Sequence, residues 1–410
     1  MRILINCINY FPELTGVGKY TGEMVEWLTW RGYEMRIITA PPYYPAWKIS
    51  SIYSTWQYHK ENSRAAMIWR CPLWVPVKPT GLMRLLHLTS FALSSLPVML
   101  LQVRWRPDVV LVVEPPLFCA PVAALTARLS RGRAWLHVQD FEVDAAFDLG
   151  LLQSKLLRRV VLAVERWVMR RFDKVSTISG RMLQRLEAKG VTDSQRVSFP
   201  NWVDTDLIYP MKHPSPFRDE LGIGPQDVVA LYSGNMGQKQ GLEIVIEAAR
   251  ILASENNVRF VMCGQGAAYA RLREMAEGLA NIIWIPLQPM ERLNELLNLA
   301  DIHLLPQSAD AADLVMPSKL TGMLASGRPV VATAAEGTEV WSVVEGRGIN
   351  TPPGDVSAFV DGILSLARGP ERRAALGLRG RAYAEEYLSR DKCWRRSKID
   401  QLKAVMPIEY

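Results

Sequence analysis

At 410 residues the chain exceeds what one hydrophobic core usually supports, so its length predicts two domains. Apolar residues make up 49% of it, which is ample for two cores, and the net charge of +7 is moderate. Its basic residues are not interleaved with aromatic ones as in nucleic-acid-binding modules, so no nucleic-acid partner is expected. The five cysteines lie far apart without a Cys-x-x-Cys pair, which argues against a disulfide framework or zinc site and indicates a reducing cytoplasm.

The first half of the chain reads as alternating strands and helices, the pattern of a parallel sheet covered by helices on both faces. It begins directly with a strand-like run and lacks the long apolar core of a signal peptide. The predicted strands are residues 2–7, 35–39, 109–113, 134–138 and 174–178.

A glycine loop, Thr15-Gly16-Val17-Gly18, follows the first predicted strand. Ligands bind at this carboxyl edge in open α/β folds, so Gly16 and Gly18 are candidate ligand-binding residues. The loop lacks the third glycine and the distant acidic residue of a dinucleotide fingerprint, which argues against nicotinamide binding. The alternative is that both glycines serve only the turn.

Two segments of the first half bear on membrane contact. Residues 85–103 are strongly apolar but contain Pro97, and they lie between predicted strands of one domain, so we expect a buried or interfacial helix rather than a span. Residues 154–172 form a basic amphipathic helix. Its apolar stripe either faces the core or docks on anionic lipid. The stripe comprises Leu156, Val160, Val164, Trp167 and Val168.

The strand at 134–138 leads into a histidine and several carboxylates at the presumed ligand edge. His137 clusters there with Asp140 and Asp144, which favours a catalytic or acceptor-orienting role for His137 and Asp140. The alternative for His137 is a core histidine whose hydrogen bonds are satisfied.

Prolines 200, 210, 214 and 216 interrupt regular structure and predict the interdomain linker. A second series of strands follows, at 228–232, 258–263, 282–285, 302–305 and 329–332. We therefore predict an α/β fold of two Rossmann-like domains, residues 1–203 and 204–385, with a last helix within 386–410 that crosses back to the first domain.

Three features of the second half predict a site for a phosphorylated, nucleotide-like ligand. A loop with Gly234 follows its first strand, Gly264-Gln265-Gly266 ends a later strand, and MPSKLTGMLASGRPVVAT spans residues 316–333. In that last segment Pro317 suits the first helical position, followed by Ser318 and Lys319 in the first turn. Backbone amides there, together with Lys239 or Lys319, would hold the phosphates.

These features together resemble the retaining glycosyltransferases of family 4. The resemblance covers essentially the whole chain, through both glycine loops, SFPNWVD at 198–204, Gly264-Gln265-Gly266 and ASGRPVVAT. It implies a GT-B fold, in which two Rossmann-like domains face each other across a cleft, with acceptor binding in the first domain and nucleotide-sugar binding in the second. It also implies a front-face mechanism in which the leaving phosphate takes the acceptor's proton, with His137 and Asp140 orienting the acceptor.

A narrower resemblance rests on NYFPELTGVGKYTGEM, APPYYP, LHVQDFEVDA and MPSKLTGMLASGRPVVAT. These segments are similar to family members of colanic-acid biosynthesis that are regarded as fucosyltransferases. The similarity implies a GDP-fucose donor, an undecaprenyl-diphosphate-linked saccharide acceptor and a peripheral position on the inner face of the cytoplasmic membrane. No cofactor and no metal are expected, because the Asp-x-Asp at 204–206 lies in the proline-rich linker and favours a structural role.

The sequence also departs from the family pattern. The paired glutamates of the family would fall at Leu314 and Gly322, with Asp310 and Asp313 as substitutes for the first. Asn235 stands where many members have arginine and Gln240 where they have lysine. Both are predicted to contact the donor, and phosphate neutralisation is predicted to fall on Lys239 and Lys319.

Two alternative functions remain open. One is a sugar-nucleotide epimerase or phosphorylase on the same scaffold, and the other is a non-catalytic, nucleotide-binding membrane scaffold.

Overall fold

The computed structural model describes residues 1–13, 16–63, 66–77, 81–144, 155–237, 240–255, 257–308 and 317–396. The chain divides into two compact units, Met1–Phe199 and Pro200–Arg396 within the described ranges. Each unit contains its own parallel sheet with helices packed against it.

The first unit is built on an eight-stranded sheet with the order β3-β4-β2-β1-β5-β6-β7-β8. The sheet is parallel except for β3, which pairs antiparallel with β4 at one edge. Its strands are β1 (Arg2–Asn6), β2 (Glu34–Thr39), β3 (His59–Asn62), β4 (Met67–Arg70), β5 (Val109–Glu114), β6 (Arg133–Val138), β7 (Lys174–Thr177) and β8 (Arg196–Ser198). Its α-helices are α1 (Gly16–Trp30), α2 (Gly81–Leu101), α3 (Ala120–Ser130), α4 (Lys155–Met169) and α5 (Gly180–Ala188).

The second unit contains a six-stranded, all-parallel sheet with the order β11-β10-β9-β12-β13-β14. Its strands are β9 (Val228–Ser233), β10 (Val258–Cys263), β11 (Ile282–Ile285), β12 (Ile302–Leu305), β13 (Val330–Thr333) and β14 (Gly348–Thr351). Its α-helices are α6 (Phe217–Glu220), α7 (Glu243–Ile251), α8 (Tyr269–Met275), α9 (Leu293–Leu299), α10 (Ser318–Ala325), α11 (Glu339–Val344), α12 (Val356–Ala367), α13 (Pro370–Tyr383) and α14 (Arg390–Arg396).

The central strands are buried on both faces, which explains their continuous apolar sequence. Every residue of β5, VVLVVE, is buried, and so is every residue of β12 and β13. Among the parallel strands of each sheet the chain order reverses at one place, beside β1 in the first unit and beside β9 in the second. Because crossovers leave in opposite directions there, a crevice opens at the carboxyl ends of these strands.

The predicted strands are confirmed, with ends that differ by one residue at most. The sequence analysis missed β3, β4, β8 and β14, which are only three or four residues long. Two of them also lack an apolar run, since β3 reads HKEN and β14 reads GINT. One prediction about a helix start was wrong. Pro317 has an extended ψ of 127° and precedes α10 as its N-cap instead of occupying the first helical position.

The last predicted helix begins later than expected. A helical turn over residues 384–388 ends at Ser389, which is extended and forms a β-bridge with Val203. Helix α14 therefore starts at Arg390. Trp394 of α14 packs edge-on against Trp202, with ring centroids 5.0 Å apart, inside the second unit. Residues 397–410, the remainder of the segment predicted to cross back, lie outside the described residues.

Helix α2 and the turn after it, Gly81–Trp105, form a segment of the described chain long and apolar enough to cross a membrane. It joins β4 to β5, two strands of one parallel sheet, and 44% of its most apolar stretch is buried. A spanning helix would place those strands on opposite sides of the bilayer. The segment is therefore a crossover helix with one exposed apolar face.

Candidate functional site

The glycine loop after β9 lies directly against the one after β10. Gly234 donates its amide to the Cys263 carbonyl at 2.9 Å. A Cβ on Gly264 would lie 2.0 Å from the Gly234 carbonyl oxygen, and one on Gly266 would lie 2.4 Å from that of Met236. Only glycine allows this approach of two backbones. The two predicted glycine features thus form one backbone-lined wall at the carboxyl edge of the second sheet.

Lys319, in the first turn of α10, lies beside this wall. Its ammonium is 4.1 Å from the centre of the Tyr232 ring, and a Cβ on Gly234 would be 4.0 Å from Nζ. Burial lowers the pKa of Lys319 to about 7. Within the described ranges no carboxylate pairs with the ammonium, and no side chain caps the helix beginning at Ser318. A lysine ammonium beside an uncapped helix N-terminus forms a phosphate-binding site.

Asn235 and Gln240 flank Gly237 in the same loop. Gln240 Oε1 lies 2.7 Å, and Asn235 Nδ2 3.2 Å, from where a Cβ on Gly237 would be. Asn235 is exposed, whereas Gln240 Oε1 is buried and accepts no hydrogen bond from the described residues. A buried amide oxygen without a donor can accept one from a ligand. Lys239 lies outside the described residues, so its role stays a prediction.

The departures from the family pattern fall partly outside the described residues, which exclude Asp310, Asp313 and Leu314. Gly322 lies inside α10, and a Cβ there would approach Leu297 of α9 to 3.3 Å. The missing side chain therefore lets the two helices pack closely.

His137 occupies a buried position on β6 and is 3% exposed. Its Nδ1 lies 2.8 Å from the Ser176 hydroxyl and its Nε2 2.9 Å from Gln139 Nε2, while Phe199 packs on the ring at 5.1 Å. Burial lowers the pKa of His137 to about 3, so the imidazole is neutral at physiological pH. Both ring nitrogens therefore have hydrogen-bond partners within the first unit, as expected for the alternative of a core histidine, and the low pKa argues against a general base. The predicted roles of His137 and the partly buried Asp140 stay predictions.

Asp144 forms ion pairs in the structure instead of clustering with His137 and Asp140 as predicted. Lys189 donates to both of its carboxylate oxygens, at 3.1 and 3.2 Å, and Arg185 donates at 3.0 Å. Lys189 also pairs with Glu165 at 2.6 Å. Asp144 therefore belongs to a buried ion-pair network that joins α4 to α5, which is a structural role.

Glu13, a residue that the sequence analysis missed, lies beside Gly18 of the first glycine loop. The Glu13 carboxylate is 4% exposed and accepts from Asn9 at 2.8 Å and from the amides of residues 43 and 44 at 2.8 and 2.9 Å. A Cβ on Gly18 would lie 2.9 Å from that of Glu13. Gly16 has a φ of 56° and open space around it. Gly18 therefore admits a buried carboxylate, whereas Gly16 is needed for the turn, and their donor contact stays a prediction.

A second unpredicted pair lies at the crevice of the first sheet. Glu114 ends β5 and Asn6 ends the neighbouring β1, and both side chains are fully buried. Neither carboxylate oxygen of Glu114 has a hydrogen-bond partner among the described residues. Burial, reinforced by the charge of Glu142, raises the pKa of Glu114 well above its usual value. The only sequence signal was a glutamate closing an apolar run before two prolines.

We expect Glu114→Gln to stabilise the protein increasingly as the pH rises. Folding raises the pKa of Glu114. The contribution of this carboxyl to the free energy of unfolding is therefore fully present below its ordinary pKa of 4.5 and is lost as the pH rises through its folded-state pKa. Glutamine cannot ionise. The Tm difference from wild type, measured by differential scanning fluorimetry, should be small at pH 4 and grow towards pH 9. Glu26→Gln, at an exposed site on α1, is the control, and a gain independent of pH would contradict the expectation.

The Asp-x-Asp at residues 204–206 is engaged in local structure. Asp204 accepts from the amides of Asp206 and Leu207 at 3.0 and 3.2 Å and pairs with Arg390 at 2.8 Å. Among the residues that the structure describes, no group of three or more His, Cys, Asp or Glu side chains is placed to hold a metal ion.

Comparison with known proteins agrees with this arrangement. Residues 15–202 match the family described as "Glycosyl transferase 4-like domain", and residues 215–383 match "Glycosyl transferases group 1". A relative in Escherichia coli (strain K12), the colanic acid biosynthesis glycosyl transferase WcaI, is 44% identical over 408 residues, which cover 96% of this chain and 98% of the relative.

Two solved structures share the fold. Sucrose-phosphate synthase from Thermosynechococcus elongatus superposes with a TM-score of 0.73 at 16% identity and covers 99% of this chain and 100% of its own. HepE from Anabaena, solved with UDP and glucose, superposes with a TM-score of 0.69 at 15% identity and the same coverage. The chain therefore belongs to the group 1 glycosyltransferases with a family 4-like first domain, enzymes of the GT-B fold that use nucleotide-sugar donors.

Proposed function

We propose that this glycosyltransferase moves L-fucose from GDP-fucose to an undecaprenyl-diphosphate-linked saccharide, in exopolysaccharide biosynthesis of the colanic-acid type. The observation that carries the proposal is the 44% identity to WcaI over nearly the whole of both chains. The backbone-lined wall beside Lys319 supports it, because it offers amides and a cation to a diphosphate.

In this proposal the second unit stabilises the departing nucleoside diphosphate. Negative charge grows on the leaving phosphates as the glycosidic bond breaks, and preorganised donors aimed at that charge lower the barrier. Lys319 and the first amides of α10 supply such donors. Tyr232 keeps the ammonium in place, and its hydroxyl donates to the Asn235 carbonyl at 2.5 Å, which fixes the loop.

The first unit then presents the acceptor. In a front-face reaction with retention of configuration, the acceptor hydroxyl gives its proton to the leaving phosphate, so no strongly basic side chain is required. His137 is proposed to help orient the acceptor rather than to act as a base, since a group with a pKa of about 3 is a weak base. Asp140, two residues beyond β6, is proposed to act beside it.

The test is a product assay. Membranes carrying undecaprenyl-diphosphate glucose are incubated with the full chain and a panel of UDP- and GDP-sugars. GDP-fucose alone should yield one extended lipid product and free GDP. Extension with another sugar would overturn the donor assignment, a rearranged free sugar or sugar nucleotide would indicate an epimerase or phosphorylase, and turnover of no donor would favour a non-catalytic scaffold.

We also propose that the protein lies peripherally on the inner face of the cytoplasmic membrane, docked through α4. The interpretation of its apolar stripe as core-facing was wrong for four of its five residues. Leu156, Val160, Val164 and Trp167 are 72, 52, 54 and 56% exposed, while Val168 is buried. Arginines 159 and 166 are exposed on the same helix. An exposed apolar stripe beside arginines suits the headgroup region of an anionic bilayer.

Reversing two of these charges should weaken membrane binding. Arg159→Glu with Arg166→Glu is expected to lower partitioning onto phosphatidylglycerol vesicles by at least about tenfold, because each basic residue near such a surface contributes about 1 kcal/mol. Cosedimentation with vesicles at low salt measures it. Arg372→Glu with Arg379→Glu, on α13, makes the same change in net charge and should bind as wild type. Equal weakening by both pairs would contradict docking through α4.

A further inference from the structure

Two cavities in the first unit lie next to each other. The larger has a volume of about 740 Å³ and the smaller about 560 Å³, and they share Ala46, Lys48 and Ile49 as a common wall. The smaller reaches Glu13, beyond the carboxyl end of β1. The larger is bounded by Ser90 and Ser94 of α2. We call the whole feature the acceptor groove.

The larger cavity has a lining that is mostly aromatic and apolar. Trp56, Trp74 and Val77 line it and are 84, 41 and 96% exposed. Trp47, also in its lining, has a φ of 51°, a left-handed conformation rare for a bulky residue. Its ring packs 5.2 Å from that of His87, which holds it at the cavity wall. Strained backbone and clustered exposed aromatics are typical of ligand sites.

The apolar lining continues along the outer face of α2. Ser90 lines the cavity, and Leu86 and Leu93, four residues before it and three after, lie on the same helix face. These leucines are 49 and 67% exposed. Ser90 accepts from the Trp74 amide at 3.1 Å, so its polar atom is already engaged and the surface towards a ligand is apolar. A long hydrocarbon chain could therefore leave the cavity without meeting a polar gap.

Lys48 supplies the one charge at the centre of the described part of the groove. Its side chain is exposed on the wall between the cavities, and no carboxylate of the described residues pairs with it. Lys48 therefore lies between the wide apolar cavity and the smaller cavity at the strand edge. This arrangement is complementary to a ligand whose central anionic group carries a hydrocarbon on one side and a polar group on the other.

We propose that the acceptor groove binds the prenyl-diphosphate part of the lipid-linked acceptor. The prenyl chain lies against Trp56, Trp74 and α2, Lys48 binds the diphosphate, and the attached sugar occupies the smaller cavity beside Glu13. This assignment rests on the proposed function and adds where, and in which direction, the acceptor lies.

Farnesyl diphosphate is a water-soluble probe for this groove. Binding to the full chain, without membranes or donor, is followed by tryptophan fluorescence and titration calorimetry. We expect saturable binding that Trp56→Ala weakens at least about tenfold. Trp30→Ala removes a tryptophan of similar exposure, 80%, from α1 outside the groove lining and should leave binding unchanged. Lys48→Ala should weaken binding of farnesyl diphosphate but not of farnesol.

Two results would overturn the proposal. One is equal binding of farnesyl diphosphate by the Trp56→Ala and Trp30→Ala variants, and the other is inorganic diphosphate competing as tightly as farnesyl diphosphate. Because the assay contains no sugar donor, it is independent of transfer. Probe binding without transfer would refute only the proposed function, whereas fucosyl transfer with unchanged acceptor KM in Trp56→Ala would refute only the groove.

Discussion

Replacing Lys319 by alanine is expected to lower kcat/KM by about 10²–10³-fold, the usual effect of removing one donor from a preorganised anion site. The ammonium lies over Tyr232 beside Gly234, with no described carboxylate to neutralise it, so its charge is available to the leaving diphosphate. Steady-state kinetics with the donor identified in the product assay measure the loss. Lys212→Ala, at an exposed lysine of the same unit, should retain wild-type activity.

Lys319 also makes donor affinity depend on pH with a defined sign. Its pKa of about 7 means that the free protein loses this charge as the pH rises through neutrality. A diphosphate binds the charged form, so affinity should fall by up to about tenfold per pH unit above 7. Because the nucleotide's terminal phosphate titrates too, the informative quantity is the ratio of wild-type to Lys319→Ala affinities for GDP and UDP, by calorimetry from pH 6 to 9. A ratio constant over that range would refute a role for the Lys319 charge.

Gly264→Ala should disrupt the donor site through the backbone alone. The new methyl group would lie 2.0 Å from the Gly234 carbonyl oxygen, a contact that only movement of the two loops can relieve. Overpacking of this kind costs typically about 1–3 kcal/mol in unfolding free energy. Since the displaced loop lies beside Lys319, GDP affinity should fall by at least about tenfold as well. Urea unfolding and GDP titration measure the two effects.

Gly278→Ala is the matched control for this substitution. Gly278 also has a positive φ, of 81°, but no atom lies within 4 Å of the position of its Cβ. The free energy of unfolding of this variant should fall only by the cost of a left-handed alanine, about 1–2 kcal/mol, and its GDP affinity should match wild type. If both variants bound GDP as wild type, the close contact between the glycine loops would have no part in donor binding.

The sequence by itself determined the two parallel sheets, because continuous apolar runs such as β5, separated by helical patterns, form strands that are buried on both faces by helices. It also located the glycine wall and Lys319, because glycines after strands and a helix start before ASGRPVVAT depend on local backbone geometry. Local rules placed Pro317 one position inside the helix, and only the observed ψ corrected this.

Only the tertiary structure decided which side chains meet. The ring of Tyr232 under Lys319, the carboxylate of Glu13 against the amides of residues 43 and 44 and the isolation of Glu114 all join residues distant in sequence or depend on burial by several strands. The same holds for the exposed stripe of α4, whose amphipathic pattern fitted the core and a membrane equally well. Periodicity specifies that a face is apolar, whereas what covers that face depends on packing with the rest of the chain.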